Sequence, residues 1–262
     1  MKYLKVFIAW FLFLLLASPL DAIDEDSLKQ RIAKHLEKVT AEAKIQEPFE
    51  DLSTRSPTGS KLFRTASNGI VLVVTANDTM GSGVVISSRG LVITNWHVVE
   101  NESLVGIIFK QTFRPGRTSL NKEDIFPAKV LRTDSVRDLA LLLIISPPPD
   151  LTTLQLGSLQ QVEVGEDVFA ISHPAGLLWS YTEGVISQIR PNYVMKTESG
   201  SVHRSTYIQT QTVISQGSSG GALFNYNGQL IGILTATLGP GLNFAIAINE
   251  IKEFIKSTLE KR

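Results

Sequence analysis

QTQTVISQGSSGGALF, from Gln209 to Phe224, is the most informative stretch of this sequence. Its centre, Gly217 to Gly221, places two serines among glycines, which have no Cβ atom. A backbone turn of this composition can approach a substrate carbonyl closely and direct several N–H groups at it, as a nucleophilic serine requires. Glycine and serine are also common in ordinary loops. The interpretation therefore depends on whether the chain supplies a base and an orienting carboxylate.

The composition describes a globular protein and excludes several functional classes. The 262 residues, 43% of them hydrophobic, are sufficient for a substantial core. The 25 basic and 25 acidic residues balance, so no net charge attracts nucleic acid or an anionic membrane. Cysteine is absent and the four histidines are scattered, which leaves no ligand spacing for a metal. We expect no cofactor, no metal and no nucleic-acid partner.

The N-terminus has the order of a secretory signal peptide. Lys2 and Lys5 precede an unbroken apolar run, Val6 to Ala17, which is too short to span a bilayer comfortably. An uncleaved anchor is the alternative, because no cleavage site has the ideal pattern of small residues. We assign residues 1–22 to a signal peptide. The mature chain is then periplasmic or secreted, without stable membrane insertion.

Residues 23–60 are assigned to an amphipathic helix and a linker. Ser27 and Gln30 have the spacing of a capping box, which predicts the start of the helix. Apolar residues then recur on one helical stripe at Leu28, Ile32, Leu36 and Val39. Prolines and a glycine between Glu47 and Ser60 predict the linker.

Beyond the linker, short apolar runs separated by polar or glycine turns predict two sets of six strands. The first set comprises Ile70–Thr75, Gly83–Ser87, Leu91–Thr94, Ser103–Phe109, Phe126–Arg132 and Leu139–Ile145. The second set comprises Val168–Ser172, Tyr181–Ile189, Tyr193–Thr197, Val202–Ile208, Gln229–Leu238 and Asn243–Ile248.

The two sets are joined by a proline-rich crossover, Ser146 to Asp150, in which a central strand is excluded. Closed barrels remove exposed sheet edges. We therefore predict an all-β fold of two six-stranded antiparallel β-barrels, at about residues 65–146 and 160–249, with a single large sandwich as the alternative. A C-terminal helix over residues 250–262, capped by Asn249, completes a domain over residues 61–262.

A base and a carboxylate are both available to a nucleophilic serine. His97 directly follows the predicted strand Leu91–Thr94, whose end can present a side chain rigidly, whereas His173 and His203 lie in loop-like or solvent-alternating contexts. Asp138 opens a thoroughly apolar run, where an unpaired carboxylate would be costly. Hydrogen bonding to a histidine would supply its partner. Asp134 is a competing carboxylate, but its context is that of a surface turn.

The order His97, Asp138, Ser219 is that of two-barrel serine proteases. Over most of the mature chain, from Ile70 to Ile248, the sequence resembles the HtrA/Deg family of trypsin-like serine proteases. The similar blocks, in chain order, are GSGVVISSRGLVITNWHVV, RTDSVRDLALL, VGEDVFAISHPAGL, TEGVISQIR, IQTQTVISQGSSGGALFNYNGQLIGI and NFAIAIN.

The resemblance implies a role for each site residue. Ser219 is the nucleophile, because the family's reactive serine directly precedes two glycines, which excludes the neighbouring Ser218. His97 is the general acid and base, and Asp138 orients it. The backbone N–H groups of Gly217 and Ser219, helped by that of Ser218, form the oxyanion hole.

The resemblance also implies where specificity resides. The pocket floor would be Val213 and Ile214, with barrel core as the alternative role for both. The wall would be the strand residues Leu234, Thr235, Ala236 and Thr237, of which Thr235 to Thr237 would pair with the substrate backbone. No charged residue is present at these positions. The pocket should therefore accept a small or medium aliphatic side chain.

We therefore expect a serine endopeptidase acting on exported or unfolded polypeptides. The alternative is a chaperone-like or peptide-binding module with a latent protease site. Because only a short helix is predicted after Ile248, we expect a member of the family without a PDZ domain. A homotrimer would follow by family analogy alone.

Overall fold

Two barrels of six strands each form the body of the protein. The computed structural model describes residues 24–42, 57–110, 121–197 and 200–260. The strands of the first barrel are β1 (Ile70–Val74), β2 (Met80–Val85), β3 (Leu91–Thr94), β4 (Leu104–Phe109), β5 (Phe126–Asp134) and β6 (Leu139–Ile144). Those of the second are β7 (Asp167–Ser172), β8 (Ser180–Lys196), β9 (Val202–Thr210), β10 (Ala222–Asn225), β11 (Leu230–Thr237) and β12 (Asn243–Ala247).

Each sheet closes on itself through antiparallel pairing. The order is β1-β2-β3-β6-β5-β4 in the first barrel, which closes where β1 pairs with β4. The second barrel has the order β10-β11-β12-β9-β8-β7 and closes where β10 pairs with β7. Closure removes the unpaired sheet edges at which other chains could add. The predicted all-β fold of two six-stranded antiparallel barrels is confirmed.

Strands such as β1 and β6 read as continuous apolar runs because both of their faces are buried. Along β1, Val71 and Val73 fill the interior of the first barrel, whereas Ile70 faces the second barrel. All five residues of β1 are buried. The cluster between the barrels includes Ile93 and Leu141 from the first barrel and Phe224 from the second. Side chains of a strand alternate between its two faces. One apolar run therefore contributes side chains both to the interior of the barrel and to the cluster between the barrels.

Two strands differ from those predicted in the second barrel. β8 is a single strand of 17 residues where two were expected, and Pro191 lies in the irregular register between Arg190 and Tyr193. A bulge accommodates the missing proline N–H without ending the strand. β10 was not predicted, because its four residues directly follow the glycine turn. The predicted count of six was correct only because these two errors cancel.

Within the described ranges, three α-helices flank the barrels: α1 (Glu25–Glu42), α2 (Pro57–Ala66) and α3 (Ile248–Leu259). The amphipathic stripe of α1 is confirmed at Leu28, Ile32 and Leu36, which are buried against the outside of the first barrel. Its fourth predicted member, Val39, has a side chain outside the described part of the structure. The predicted capping box is wrong. Asp24 caps α1, because its carboxylate accepts hydrogen bonds from the Asp26 and Ser27 N–H groups, both at 3.0 Å.

The linker and the C-terminal helix also depart from prediction. Pro57 to Ser60, assigned to the linker, form the first turn of α2, where proline is well tolerated. α3 begins at Ile248, so Asn249 lies inside it, and its N-cap Ala247 makes no side-chain capping bond. The predicted signal peptide and linker residues 43–56 lie outside the described residues. Among the residues described, no helix has the length and apolar character needed to cross a bilayer.

Ile32 should anchor α1 to the first barrel. Its side chain is fully buried, and its Cδ1 atom occupies the space that a Cβ atom on Gly106 of β4 would fill. Ile32→Ala leaves a cavity at this contact, so the free energy of unfolding should fall by about 2–5 kcal/mol in denaturant titration. Lys34→Ala, on the exposed face of α1, is the matched control and should change it by about 0.5 kcal/mol or less. Equal losses in both variants would contradict the proposed anchor.

Candidate active site

His97 stands at the mouth of the first barrel, directly after β3. It lies in a short 3₁₀ turn, Trp96–Val98, and its side chain is 38% exposed. The ring Nδ1 lies 2.8 Å from Asp138 Oδ2 and 3.0 Å from Oδ1. An ionised carboxylate only accepts, so Nδ1 carries the proton and Nε2 is left with a lone pair. This tautomer is the one a general base requires.

Asp138 is buried and fully hydrogen-bonded. It precedes β6 in a left-handed conformation, φ 59°, which aspartate tolerates better than most residues, and only 1% of it is exposed. Oδ1 also accepts the backbone N–H of His97 at 3.0 Å, and Oδ2 accepts the hydroxyl of Thr235 at 2.6 Å. The Asn95 side chain donates to the Asp138 carbonyl at 2.9 Å. These contacts fix the carboxylate that orients His97.

Opposing effects set the pKa of His97. Burial of the ring disfavours the charged form and lowers the pKa. The hydrogen bond to Asp138 and the negative charges of Asp138 and Glu100 favour the imidazolium and together outweigh burial. The pKa of His97 is therefore raised above its usual value of 6.5. The protonated ring formed during proton transfer is stabilised in the same way.

Ser219 faces the same cleft as His97. Within the described part of the chain, its hydroxyl donates to the Thr235 carbonyl at 3.2 Å and not to His97. Hydrogen bonds between a nucleophile and its base often form only in the complex with substrate, so their absence in the resting site does not exclude Ser219. The structure thus brings together the predicted base, carboxylate and nucleophile, with the nucleophile in a resting orientation.

The turn around Ser219 needs its glycines. Gly220 has φ +83°, and a Cβ atom there would collide with the Ser82 carbonyl and the Thr94 hydroxyl. Its N–H donates to Leu234 O at 2.9 Å, and Ser82 N–H donates to Ser219 O at 2.7 Å. The turn is therefore held from both barrels, by β2 of the first and β11 of the second.

Two backbone donors of this turn remain open. The Gln216 carbonyl accepts the Ala175 N–H at 2.7 Å, and a trans peptide directs the following Gly217 N–H to the opposite side. Among the described residues, the N–H groups of Gly217 and Ser219 have no acceptor. The Ser218 N–H instead donates to Ser215 O at 2.9 Å, so its predicted contribution to the oxyanion hole is not supported.

The predicted specificity residues separate into two groups. Ile214, Thr235, Ala236 and Thr237 line the cleft together with His97 and Ser219. Val213 is 65% exposed and outside that lining, and Leu234 is fully buried in the core of the second barrel. Neighbouring residues of an extended segment point in opposite directions, so each of these two residues turns away from the cleft that its neighbour lines. The pocket floor is thereby reduced to Ile214.

The structure adds cleft residues that the sequence did not indicate: Thr197, Ser201, His203, Ser215 and Gln216. The first three belong to the long hairpin of β8 and β9, which reaches the cleft from the second barrel. The ring of His203 is fixed by its Nδ1, which donates to Ser135 O at 2.8 Å, and it stands edge-on to Trp96. His203 meets Ser135 and Trp96 from a distant part of the sequence, so no local sequence pattern indicates these contacts. In the described ranges, no group of three histidine or carboxylate side chains could hold a metal ion.

The hydroxyl group of Thr235 should be needed for full activity. Thr235→Val keeps the shape of the side chain but removes the donor to the buried Asp138 carboxylate, a bond worth about 1.5–3 kcal/mol. We expect kcat to fall roughly 10- to 100-fold in peptide hydrolysis, with KM nearly unchanged. Thr235→Ser keeps the donor and is the control, which should stay within about 5-fold of wild type. A fall of the same size in both variants would show that the methyl group, and not the hydroxyl, is needed.

Comparison with known proteins agrees with this geometry. The family model described as "Trypsin-like peptidase domain" matches residues 81–233, which is more than half of the chain. Serine endoprotease DegS of Haemophilus influenzae is 34% identical over 189 residues, covering 70% of this chain and 51% of the relative. Periplasmic serine endoprotease DegP of Salmonella typhimurium is 36% identical over 187 residues, covering 69% of this chain and 36% of the relative.

A eukaryotic relative has the same level of similarity. The mitochondrial serine protease HTRA2 of Bos taurus is 36% identical over 176 residues, covering 67% of this chain and 35% of the relative. The matches thus span about half or less of the length of these relatives. Two closed barrels, the His97 and Asp138 pair and the family match lead to one conclusion. The chain belongs to the family of trypsin-like peptidases, and its relatives are serine proteases of the HtrA/Deg type.

Proposed function

We propose that this protein is a serine endopeptidase that hydrolyses polypeptides through Ser219, His97 and Asp138. The observation that carries the proposal is the shared cleft, in which Ser219 faces a histidine whose Nδ1 is 2.8 Å from a buried carboxylate. A serine hydroxyl is a weak nucleophile until a positioned base accepts its proton. The lone pair on His97 Nε2 supplies such a base.

The reaction follows from the positions of these groups. Ser219 Oγ adds to the peptide carbonyl carbon while His97 Nε2 accepts the hydroxyl proton. The free N–H groups of Gly217 and Ser219 bind the negative oxygen of the tetrahedral intermediate. The intermediate collapses when His97 donates its proton to the leaving amine, which leaves an acyl-enzyme. Water then adds to the ester while His97 accepts a proton from it. The second tetrahedral intermediate collapses when His97 returns this proton to Ser219 Oγ, which releases the acid product and restores the hydroxyl.

The edge of β11 offers a place for the substrate backbone. β10 pairs with β11 only as far as Ile233, whereas β12 continues to pair with β11 at Ala236 and Thr237. Along the described residues, the cleft-facing side of this segment therefore has no neighbouring strand. An extended peptide can add there, with its side chains sampling adjacent pockets. Ile214 and Ala236 would favour a small or medium aliphatic residue before the scissile bond.

The cellular setting is part of the proposal. The signal-like N-terminus and the periplasmic relative DegP support an exported protein, periplasmic or secreted, that acts on unfolded or exported polypeptides. Assembly as a homotrimer rests on family analogy. The boundaries of residues 1–22, 23–60 and 61–262 as signal peptide, helix with linker, and protease domain belong to the same proposal.

A second candidate is a chaperone-like or peptide-binding module whose protease site is latent. The observation that favours it is the resting hydrogen bond from Ser219 to the Thr235 carbonyl, which leaves His97 without the nucleophile's proton. Suppression of client aggregation that survives Ser219→Ala, together with no hydrolysis by the wild type, would favour this function.

Replacing Ser219 should abolish hydrolysis. With β-casein as substrate, Ser219→Ala should lose about 10⁵- to 10⁶-fold in rate, because the acyl-enzyme cannot form. A fluorophosphonate probe should label the wild type at Ser219 and fail to label this variant. Ser218→Ala is the control for the neighbouring hydroxyl and should still be labelled at Ser219. Equal hydrolysis by wild type and Ser219→Ala would rule out this nucleophile.

Activity should fall in acid as His97 gains a proton. A general base must be neutral, and the pKa of His97 is raised above 6.5 by the hydrogen bond and charge of Asp138. The specificity constant kcat/KM should therefore decline as pH drops through a midpoint above 6.5, because His97 takes up one proton. Stopped assays of a peptide substrate from pH 5 to 9 measure this midpoint. A rate that is constant from pH 5 to 8 would contradict histidine catalysis.

A further inference from the structure

A second serine and histidine pair lies beneath the nucleophile turn. Ser82, on β2 of the first barrel, has its Oγ 2.8 Å from Nδ1 of His173, which directly follows β7 of the second barrel. Ser82 is fully buried and His173 is 1% exposed. A substrate cannot reach this hydroxyl, so the pair does not supply a second nucleophile. Its role must lie in the backbone that it contacts.

The hydrogen bonds of Ser82 determine the tautomer of His173. A carbonyl oxygen only accepts, so the single hydroxyl hydrogen of Ser82 is donated to Gly217 O at 3.0 Å. The Ser82 Oγ must then accept, and it does so from the His173 backbone N–H at 3.1 Å and from the ring Nδ1–H. Nδ1 therefore carries the proton, and both donors of His173 converge on one serine.

The other ring nitrogen is buried without a partner. Among the described residues, no hydrogen bond reaches His173 Nε2, and the ring stands edge-on to Trp179 with 4.8 Å between centroids. Burial lowers the pKa of His173 to about 3, because a charged ring would be desolvated. The ring is consequently neutral at the pH at which His97 works. An unsatisfied buried nitrogen carries a cost, which points to a role for the Nδ1 contact.

Ser82 and His173 pack against the turn that carries the two proposed oxyanion donors. Gly217 has φ +89°, and a Cβ atom there would collide with the His173 carbonyl. Glycine rotates more freely than other residues, so this turn has alternative conformations unless its carbonyls are held. Ser82 holds two of them, Gly217 O through its hydroxyl and Ser219 O through its N–H at 2.7 Å. Ala175 N–H, two residues after His173, holds a third, that of Gln216.

We propose that His173, acting through Ser82, is the positioning residue that keeps the Gly217 to Ser219 turn in its oxyanion-binding conformation before substrate arrives. The inference rests on the proposed function. Neither residue touches the substrate. Their contribution is to the preorganisation of the two N–H donors, whose loss is expressed in kcat and in the binding of tetrahedral adducts.

The experiment compares His173→Leu, His173→Asn and Ser82→Ala. Leucine removes the donor to Ser82, whereas an asparagine amide can place its N–H group where Nδ1–H now lies. Thr75→Val is the matched control, since it removes a hydrogen bond that the hydroxyl of the buried Thr75 accepts from the Thr79 N–H, between β1 and β2. Rates are normalised to the fraction of active sites titrated by a fluorophosphonate, so unfolded protein does not count.

A peptide aldehyde separates positioning from general loss of structure. It forms a hemiacetal when Ser219 Oγ adds to its carbonyl carbon while His97 accepts the hydroxyl proton, and the former carbonyl oxygen occupies the oxyanion site. The corresponding peptide alcohol binds the same cleft without forming this adduct. We expect kcat and aldehyde affinity to fall together by about 10- to 100-fold in His173→Leu and Ser82→Ala, with KM and alcohol affinity within about 3-fold of wild type. In His173→Asn, kcat and aldehyde affinity should be at least about 10-fold higher than in His173→Leu. In Thr75→Val, both quantities should equal those of the wild type.

Two results would overturn the inference while leaving the protease function intact. One is an active wild type whose kcat and aldehyde affinity are unchanged in both Ser82→Ala and His173→Leu. The other is a loss in which aldehyde and alcohol affinities fall equally, which indicates a merely structural role. If Ser82→Ala does not fold, the comparison of His173→Leu with His173→Asn decides alone. Absence of any Ser219-dependent hydrolysis in the wild type is the separate failure of the proposed function.

Discussion

The carboxylate of Asp138 is the interaction on which the site depends. An isolated charge buried to this degree would cost several kcal/mol, and here it is offset by donors from both barrels. The first barrel contributes the backbone N–H and ring of His97, and the second contributes the hydroxyl of Thr235. The same contacts that make the buried charge tolerable therefore align His97, the proposed catalytic base, and relate the two barrels to each other.

The position of Thr235 shows how the second barrel meets this requirement. The register between β11 and β12 is irregular between Leu234 and Ala236, so a bulge lies at Thr235. A bulge changes the direction of a side chain, and here the hydroxyl reaches a carboxylate of the other barrel while the Thr235 carbonyl receives the hydroxyl of Ser219. One residue thus contacts both Asp138 and Ser219, the proposed orienting carboxylate and nucleophile.

The two histidines His97 and His173 illustrate how environment decides chemistry. His97 is partly exposed beside a carboxylate, and its pKa is raised, so it can exchange a proton with a substrate. His173 is enclosed beside a neutral hydroxyl, and its pKa is lowered to about 3, so it serves only as a hydrogen-bond donor. His97 faces the open cleft, whereas His173 faces buried backbone groups of the turn.

The sequence by itself determined the features that local chemistry dictates. Short apolar runs separated by turns predicted the barrels, an acid at the start of an apolar strand predicted Asp138 as a partner for His97, and consecutive glycines predicted the turn at Ser219. Only the tertiary structure decided which neighbours share a face and which distant groups meet. It placed Val213 and Leu234 outside the cleft and showed that the Ser218 N–H donates to Ser215 O. It also brought Ser82 and His173 against the turn at Ser219, and it gave Thr235, predicted only as a wall residue, a hydroxyl contact with Asp138. The physical reason is that a hydrogen bond across two barrels depends on three-dimensional proximity, which leaves no periodic signal along the chain.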